Sequence, residues 1–317
     1  MAVYTHVSAE ALSEFLSRYD VGDLVSAKGI AEGVENSNYI IDTTTGRFIL
    51  TLYEKRVEAD DLPFFAALLD HLAAKSNPVP RMLPDRAGVA IQSLEGRPAC
   101  LIEFLPGVSP SHPTRARAYA AGVAQARMHL DLADFAGTRD NPLGPAGLVA
   151  FASRDGFDFD AIQAGLGDRV TGALARIHDT IDWAVPRGIV HGDLFPDNVL
   201  MLGDRVTGLI DFYFAATDYL CWDLTVTHSA WAFDAAGGRY DAAVGSALIE
   251  GYDSARALSD AERATMPAMA QAAALRFMMT RAWDWLHTPA DALVTRKDPL
   301  AYLRRLEFYE TNPDVFA

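Results

Sequence analysis

The run I-V-H-G-D-L-F-P-D-N-V-L at 189–200 places Asp193, Asp197 and Asn198 within six positions, and Asp211 follows in I-D-F-Y-F. Carboxylate and amide oxygens are hard ligands. They suit Mg²⁺, which takes one or two carboxylates and fills its shell with phosphate oxygens and water. Between Asn198 and Asp211, the sequence V-L-M-L, G-D-R, V-T-G-L-I predicts two short strands around a tight turn. A hairpin returns the chain to the level where it left, so Asp211 is expected close to Asn198, with Asp193 just ahead on the loop. The bland alternative is a plain surface turn, because Asp and Asn favour loops. Asp-x-x-x-x-Asn alone would not exclude it. The His-Gly prefix, the hairpin and the second aspartate together point past it.

His191-Gly192-Asp193, four residues, Asn198, a hairpin and Asp211-Phe212 form the catalytic and metal arrangement of kinases. Phosphoryl transfer relies on positioning and charge neutralisation, which assigns the roles. Asp193 accepts the hydrogen bond of an acceptor hydroxyl and takes its proton. Asn198 and Asp211 hold the metal that offsets charge on the β- and γ-phosphates of ATP. His191 is expected to brace the loop rather than carry protons. No His or Cys is placed to form a phosphoenzyme, so transfer is expected to be direct.

HGDLFPDN with I-D-F resembles the aminoglycoside phosphotransferase and choline kinase group of small-molecule kinases, whose loop reads HGD rather than HRD. A-R-M-H-L-D (126–131) resembles the helix ending in Leu-His that precedes that loop. D-Y-L-C-W-D-L (218–224) resembles the Asp-Leu segment after the metal aspartate. There Asp223 reads first as a brace of the loop, and it stands also among the acceptor-binding candidates. More narrowly, E-N-S-N-Y-I-I (35–41), F-I-L-T-L-Y-E-K (48–55), D-L-P-F-F (61–65), N-P-L-G-P-A-G (141–147) and R-F-M-M-T-R-A-W-D-W (276–285) resemble the type II homoserine kinase family. The resemblance runs over nearly the whole chain. It implies an α+β, two-lobed protein-kinase-like fold that uses ATP and Mg²⁺ to phosphorylate the side-chain hydroxyl of homoserine, on the way to threonine.

G-I-A-E-G-V-E-N-S-N-Y (29–39) stands where kinases place a glycine-rich loop, with glycines only at 29 and 33. As a cradle it is weak by itself; the resemblance strengthens it and implies phosphate contacts from the backbone at Gly33 and the amides of Asn36 and Asn38. I-E-F-L-P-G resembles the hinge that pairs with adenine, where Glu103 and Leu105 would act through main-chain atoms. One position departs from the kinase pattern. Thr51 occupies the place of the strand-three lysine that grips the α- and β-phosphates. The chain has four lysines, at 28, 55, 75 and 297. Lys55 shares the strand parity of Thr51 but lies four residues, roughly 13 Å, away. Lys28, Arg47, Arg56 and metal ions acting alone all stay open as substitutes.

A zwitterionic acceptor such as homoserine needs a cation for its carboxylate, and arginine can pair with it bidentately. Arg276 and Arg281 are the candidates. Five helical residues set them about 140° apart, so one of them faces the pocket. Arg281 shares its face with Phe277 and Trp285, and Asp284 is a competing partner for it.

Elements must hold these groups in place. Residues 38–42 and 47–53 read as strands around T-T-T-G, 57–74 as a helix opened by acids and Pro63, with Phe64, Leu68 and Leu72 on one face. Residues 89–93 and 99–104 read as two more strands. Beyond L-P-G (105–107) the pattern turns helical, beginning with 115–135, where Tyr119, Val123, Ala126 and Leu130 recur at helical spacing. This predicts a β-rich nucleotide-binding lobe over 1–104 and an α-rich catalytic and acceptor-binding lobe over 105–317.

The chain has 317 residues, is 50% hydrophobic and carries a net charge of −15, which suits a globular protein with ample core. No run of Lys and Arg offers a nucleic-acid groove. Cys100 and Cys221 lack metal or disulfide spacing. No apolar stretch nears the ~18 residues of a membrane span, and the start reads as no signal peptide. A cytoplasmic enzyme is expected, of open oligomeric state. Choline, ethanolamine, methylthioribose and aminoglycosides are the rival acceptors. Thr51 leaves room for a non-catalytic nucleotide-binding module. A metallophosphoesterase would need more clustered histidines than the eight scattered ones.

Overall fold

A computed structural model describes residues 5–30, 36–54, 57–288 and 296–316. The chain divides into two compact units: Met1–Pro106 with Gly208–Tyr213, and Gly107–Thr207 with Phe214–Ala317.

The first unit is built on an antiparallel sheet of five strands, β1 (Leu24–Gly29), β2 (Asn36–Thr43), β3 (Arg47–Tyr53), β4 (Gln92–Leu94) and β5 (Arg97–Glu103), in the order β1-β2-β3-β5-β4. Strand alternation gives it two faces. One face buries Tyr39, Ile41, Leu50, Leu52, Ala99 and Leu101 against Leu12, Phe15 and Leu16 of α1 (Ala9–Leu16). Ser8 caps that helix by accepting from Ala11 N, worth about 1 kcal/mol. On the other face Asp42 accepts side-chain hydrogen bonds from its registered neighbours Ser26 and Arg47, and Asn38 accepts one from Thr51. Helix α2 (Leu62–Ala74) takes Pro63 into its first turn as expected, since a missing N–H is harmless there. Its buried stripe runs through Leu62, Phe65, Leu68, Leu69 and Leu72, so Phe65, rather than Phe64, belongs to the core. Strand β1 and helix α1 escape the sequence pattern. The strand is exposed along most of its length, and the helix has only eight residues.

The second unit is mainly helical: α3 (Arg115–Asp131), α4 (Leu148–Ala152), α5 (Leu166–Thr180), α6 (Leu220–Trp231), α7 (Ala242–Ala255), α8 (Asp260–His287) and α9 (Leu300–Thr311). A short antiparallel ladder, β6 (Arg187–Val190) with β9 (Ala216–Tyr219), pairs Val190 with Ala216. Strand β6 runs straight into the 191–198 loop, and β9, antiparallel to it, runs into α6 at the other end of the ladder, where Leu220 N donates to Pro186 O. Helix α3 buries only part of the face that its apolar spacing predicts: Ala126 is buried and Val123 half-buried, but Tyr119 and Leu130 are exposed, while Gln125 and His129 are buried. Helices α3 and α7 approach through glycines. A Cβ on Gly122 would stand 2.1 Å from Leu248 O, and one on Gly251 2.1 Å from Tyr119 O.

The hairpin after Asn198 forms as expected, from β7 (Val199–Leu202) and β8 (Arg205–Leu209). Gly203 leads its two-residue turn at φ +64, a conformation a residue with a Cβ resists.

Candidate active site

In the second unit the 191–198 loop hangs from one carboxylate. Asp223, fully buried near the start of α6, accepts from His191 N (3.2 Å), Gly192 N (2.6 Å), Gln125 Nε2 (2.9 Å) and pairs with His129 Nε2 (2.9 Å). Burial alone would raise this carboxyl, but the His129 and Gln125 hydrogen bonds and the nearby His191 ring hold it at about 2. These bonds run to the loop backbone and to α3, so the carboxylate is engaged in bracing the loop. His129 is in turn fixed by Tyr252 Oη at 2.7 Å from its Nδ1.

Gly192 adopts φ +75, and a Cβ there would meet Phe214 O at 2.9 Å, so the middle of His-Gly-Asp has no room for a side chain. The turn presents Asp193, half-buried, while Leu194 is buried behind it with its carbonyl held by Trp231 Nε1 at 3.0 Å. His191 is fully buried, and its Nδ1 accepts from Asp193 N at 3.2 Å. That bond ties its ring to the backbone of the loop. Asn198 Nδ2 donates to Asp193 O (2.8 Å) and lies 3.4 Å from Asp193 Oδ2. The asparagine thus holds the aspartate with its nitrogen, and its oxygen takes no hydrogen bond among the described residues.

Arg276, on α8, is buried and donates through Nη1 to Gly192 O, with its guanidinium over the rings of Phe277, Phe214 and Trp222. Burial lowers its pKa, opposed by the Asp193 and Asp223 carboxylates. It holds the carbonyl of the glycine whose N–H Asp223 accepts. Arg281, one and a half turns on, is half-buried, lies 4.4 Å over the Tyr302 ring and sits in the field of Asp193. Trp285, a further turn along, is 40% exposed, with Arg296 over its ring.

In the first unit, Asp211 adopts φ +66, a strained backbone for a residue with a Cβ and one that recurs at functional positions. Two residues on, Tyr213 is anchored by Tyr53 Oη (3.1 Å) and by edge contacts with the Tyr53 and Phe65 rings. Thr51, buried, donates to Asn38 Oδ1 at 2.7 Å. Asn36 Oδ1 faces Glu54 N at 3.4 Å. Both asparagines thus use their oxygens internally, and their amide NH₂ groups have no acceptor among the described residues. Glu103 gives its carboxylate to Arg81 (2.7 Å) and its N–H to Arg81 O (3.0 Å), which leaves its carbonyl, while the Leu105 N–H donates to no described residue. Gly33, Lys55 and Arg56 lie outside the described residues.

No cluster of three His, Cys, Asp or Glu able to cage a metal occurs among the described residues. A donor set of one amide oxygen and one carboxylate instead fits Mg²⁺, which relies on substrate phosphates and water. No helix of the described residues is long and apolar enough to cross a membrane.

The residues missed by the sequence reading are Gln125, His129 and Trp231 as loop supports. His129 stood in a noted motif without a role, and Gln125 had no signal of its own.

Residues 26–258 match the phosphotransferase enzyme family. A homoserine kinase of Granulibacter bethesdensis is 47% identical over 100% of this chain and 99% of its own length. One of Acidiphilium cryptum is 50% identical over 98% of this chain and 97% of its own. Among solved structures, an amicoumacin kinase in complex with AMP-PNP and Ca²⁺ superposes with a TM-score of 0.71 at 14% identity, over 96% of this chain and 94% of that one. A microcompartment-associated aminopropanol kinase gives 0.67 at 19% identity, over 98% of both chains. These structures share the two-lobed kinase-like fold. The chain belongs to the phosphotransferase enzyme family and, within it, to the sequence family of these homoserine kinases.

Proposed function

We infer that the protein is an ATP-dependent kinase that phosphorylates the side-chain hydroxyl of homoserine. One observation carries the chemistry: Asp193 follows a glycine whose N–H is held by Asp223 and whose carbonyl is held by Arg276. End-to-end kinship with homoserine kinases carries the choice of acceptor.

In this reading the acceptor hydroxyl donates its hydrogen bond to the Asp193 carboxylate. Its oxygen forms the bond to the γ-phosphorus as the bond to the β,γ-bridging oxygen breaks. ADP leaves, and the hydroxyl proton stays on Asp193. Rigid support of the turn fixes the base against the acceptor, which is where positioning contributes to rate. Asn198 and Asp211 are the oxygen donors assigned to Mg²⁺; the β7–β8 hairpin starts directly after the first and ends two residues before the second. When bound, Mg²⁺ neutralises charge on the β- and γ-phosphates. Asn36 and Asn38, with their NH₂ groups unengaged, are suited to phosphate oxygens. The Glu103 carbonyl and the Leu105 N–H are suited to the adenine edge. The first unit would then serve as the nucleotide-binding lobe and the second as the catalytic and acceptor-binding lobe.

Arg281 is the residue we assign to the homoserine carboxylate. It is accessible where Arg276 is not, and its guanidinium lies within the field of Asp193. Two free, buried cysteines accord with a reducing compartment, which supports the cytoplasm as the site of action.

The decisive assay measures ADP release with ATP and Mg²⁺ against homoserine, choline, methylthioribose and kanamycin in parallel. Turnover with homoserine alone is the expected result. Turnover with another alcohol instead overturns the acceptor and keeps the chemistry; silence across the panel with ATP still bound favours a non-catalytic nucleotide-binding module.

A further inference from the structure

Strand β3 carries Thr51 where a phosphate-gripping lysine would stand, so the charge must come from elsewhere or be absent. The sheet register narrows the choice. Registered neighbours share a face, and on the face of Thr51 they form rows across the strands. Ser26, Asp42 and Arg47 make the first row, and Lys28, Ile40, Ile49 and Ile102 the second. Asn38, Thr51 and Cys100 make the third.

Four arginines and one lysine among the described residues of the first unit can be placed against these rows. Arg47 is paired with Asp42 at 2.7 Å and lies 5.4 Å over the Phe104 ring, two rows from Thr51. Arg97 is on the opposite face, with Glu54, whose other oxygen accepts from Ser37. Arg81 and Arg86 are tied to Glu103 and Asp20. Lys28 is exposed, stands one row from Thr51 on the same face, and makes no hydrogen bond or ion pair among the described residues.

Distance permits the substitution. Two strand spacings across and one two-residue step along separate the Cβ atoms of Lys28 and Thr51 by roughly 12 Å. A four-carbon lysine stem covers about half of that. The Lys28 ammonium can therefore cover part of the span toward the point above the sheet where a lysine at position 51 would act. The row that holds Lys28 adds an apolar surface beside it. Ile40 and Ile49 are half-buried apolar side chains, a floor for a flat base, with Lys28 at one end of the row.

We propose that Lys28 on β1 provides the cation for the nucleotide phosphates in place of the absent β3 lysine. The proposal rests on ATP being the phosphoryl donor. Its test reads nucleotide affinity directly, so it stands apart from the choice of acceptor. Dissociation constants for ATP and for adenosine are measured by calorimetry on the wild type, Lys28→Ala and Lys28→Arg, alongside kcat/KM for ATP. Lys28→Ala should weaken ATP at least tenfold and leave adenosine within twofold, while Lys28→Arg keeps most of the ATP affinity. ATP affinity within twofold of wild type in Lys28→Ala overturns the proposal. An equal loss for ATP and adenosine also overturns it, because the effect is then not on the phosphates. A wild type that binds ATP and lacks homoserine turnover removes the proposed function and leaves the Lys28 comparison decisive on its own terms.

Discussion

Asp193 can be separated from its supports by a substitution that keeps shape and removes basicity. Asp193→Asn should lower kcat by about 10²–10⁴-fold, the usual range for a positioned base, with an unchanged urea midpoint; a kcat within tenfold of wild type would take the base role from it. Arg281→Ala should raise KM for homoserine by about 30–100-fold, the equivalent of about 2–3 kcal/mol for a charge-assisted bidentate pair, and leave KM for ATP alone. Equal effects on both substrates would place Arg281 in the scaffold. Asp218 gives a pH signature. Burial pushes its carboxyl up to about 6, despite hydrogen bonds from Tyr219 N–H and Asn141 and the nearby Arg187 charge. Its folded-state pKa is raised, so its contribution to stability is present below about pH 4 and is lost as the pH rises to about 6, on the order of 3 kcal/mol. Asp218→Asn cannot ionise. Its stability relative to wild type should therefore climb between pH 4 and 6 and level off above, whatever its constant offset. Urea midpoints at pH 4, 5, 6 and 7 test this, and a pH-independent difference refutes it. At this scale the sequence discloses the loop itself, because carboxylates and amides at fixed spacing have few uses beside an apolar strand. Its supports stay hidden. Gln125 and His129 are polar residues on a buried helical face, and a reading that looks for apolar stripes finds Tyr119 and Leu130, which face water.

The α3–α7 pair shows how an element carries a site it does not itself form. Gly122 lets α3 lie against the α7 backbone, and about one and two turns further along α3 Gln125 and His129 reach Asp223. Gly122→Leu should push α3 away by overpacking, at about 1–3 kcal/mol or more, and lower kcat more than it raises KM for ATP. Thermal unfolding and steady-state kinetics on one preparation check both halves. Lost stability with intact kcat would show that the loop tolerates displacement of α3. Elements with strong local signals are legible from sequence: the T-T-T-G turn, Pro63 in the first turn of α2, and the G-D turn between β7 and β8. Strand β1 is not, because an exposed strand has little alternation to display. Strand β4 is expected at 89–93 and found at Gln92–Leu94, since Glu95 and Gly96 at positive φ set the turn and the register follows from it.

For the whole molecule, the break at L-P-G (105–107) coincides with the passage from the first unit to the second. The return of Gly208–Tyr213 to the first unit leaves no compositional mark. Those six residues read as the tail of a hairpin, and the Leu209 N–H bond to Pro78 O and the anchoring of Tyr213 by Tyr53 and Phe65 show where they belong. A fragment of residues 1–106 lacks that anchor. It should unfold without a sharp cooperative transition by circular dichroism, whereas a fragment of 1–106 fused through a short linker to 208–213 should regain one; a sharp transition in the shorter fragment would make the Tyr213 contacts dispensable. The discontinuity also bears on synthesis. A ribosome delivers all five strands of the first unit long before the segment that completes it, and at about 5–20 residues per second the wait is roughly 5–20 s. Through that interval Tyr53 and Phe65 stand uncovered in the nascent chain, an aromatic surface of the kind that molecular chaperones hold, and the aspartate assigned to the metal arrives on the very segment that ends the exposure.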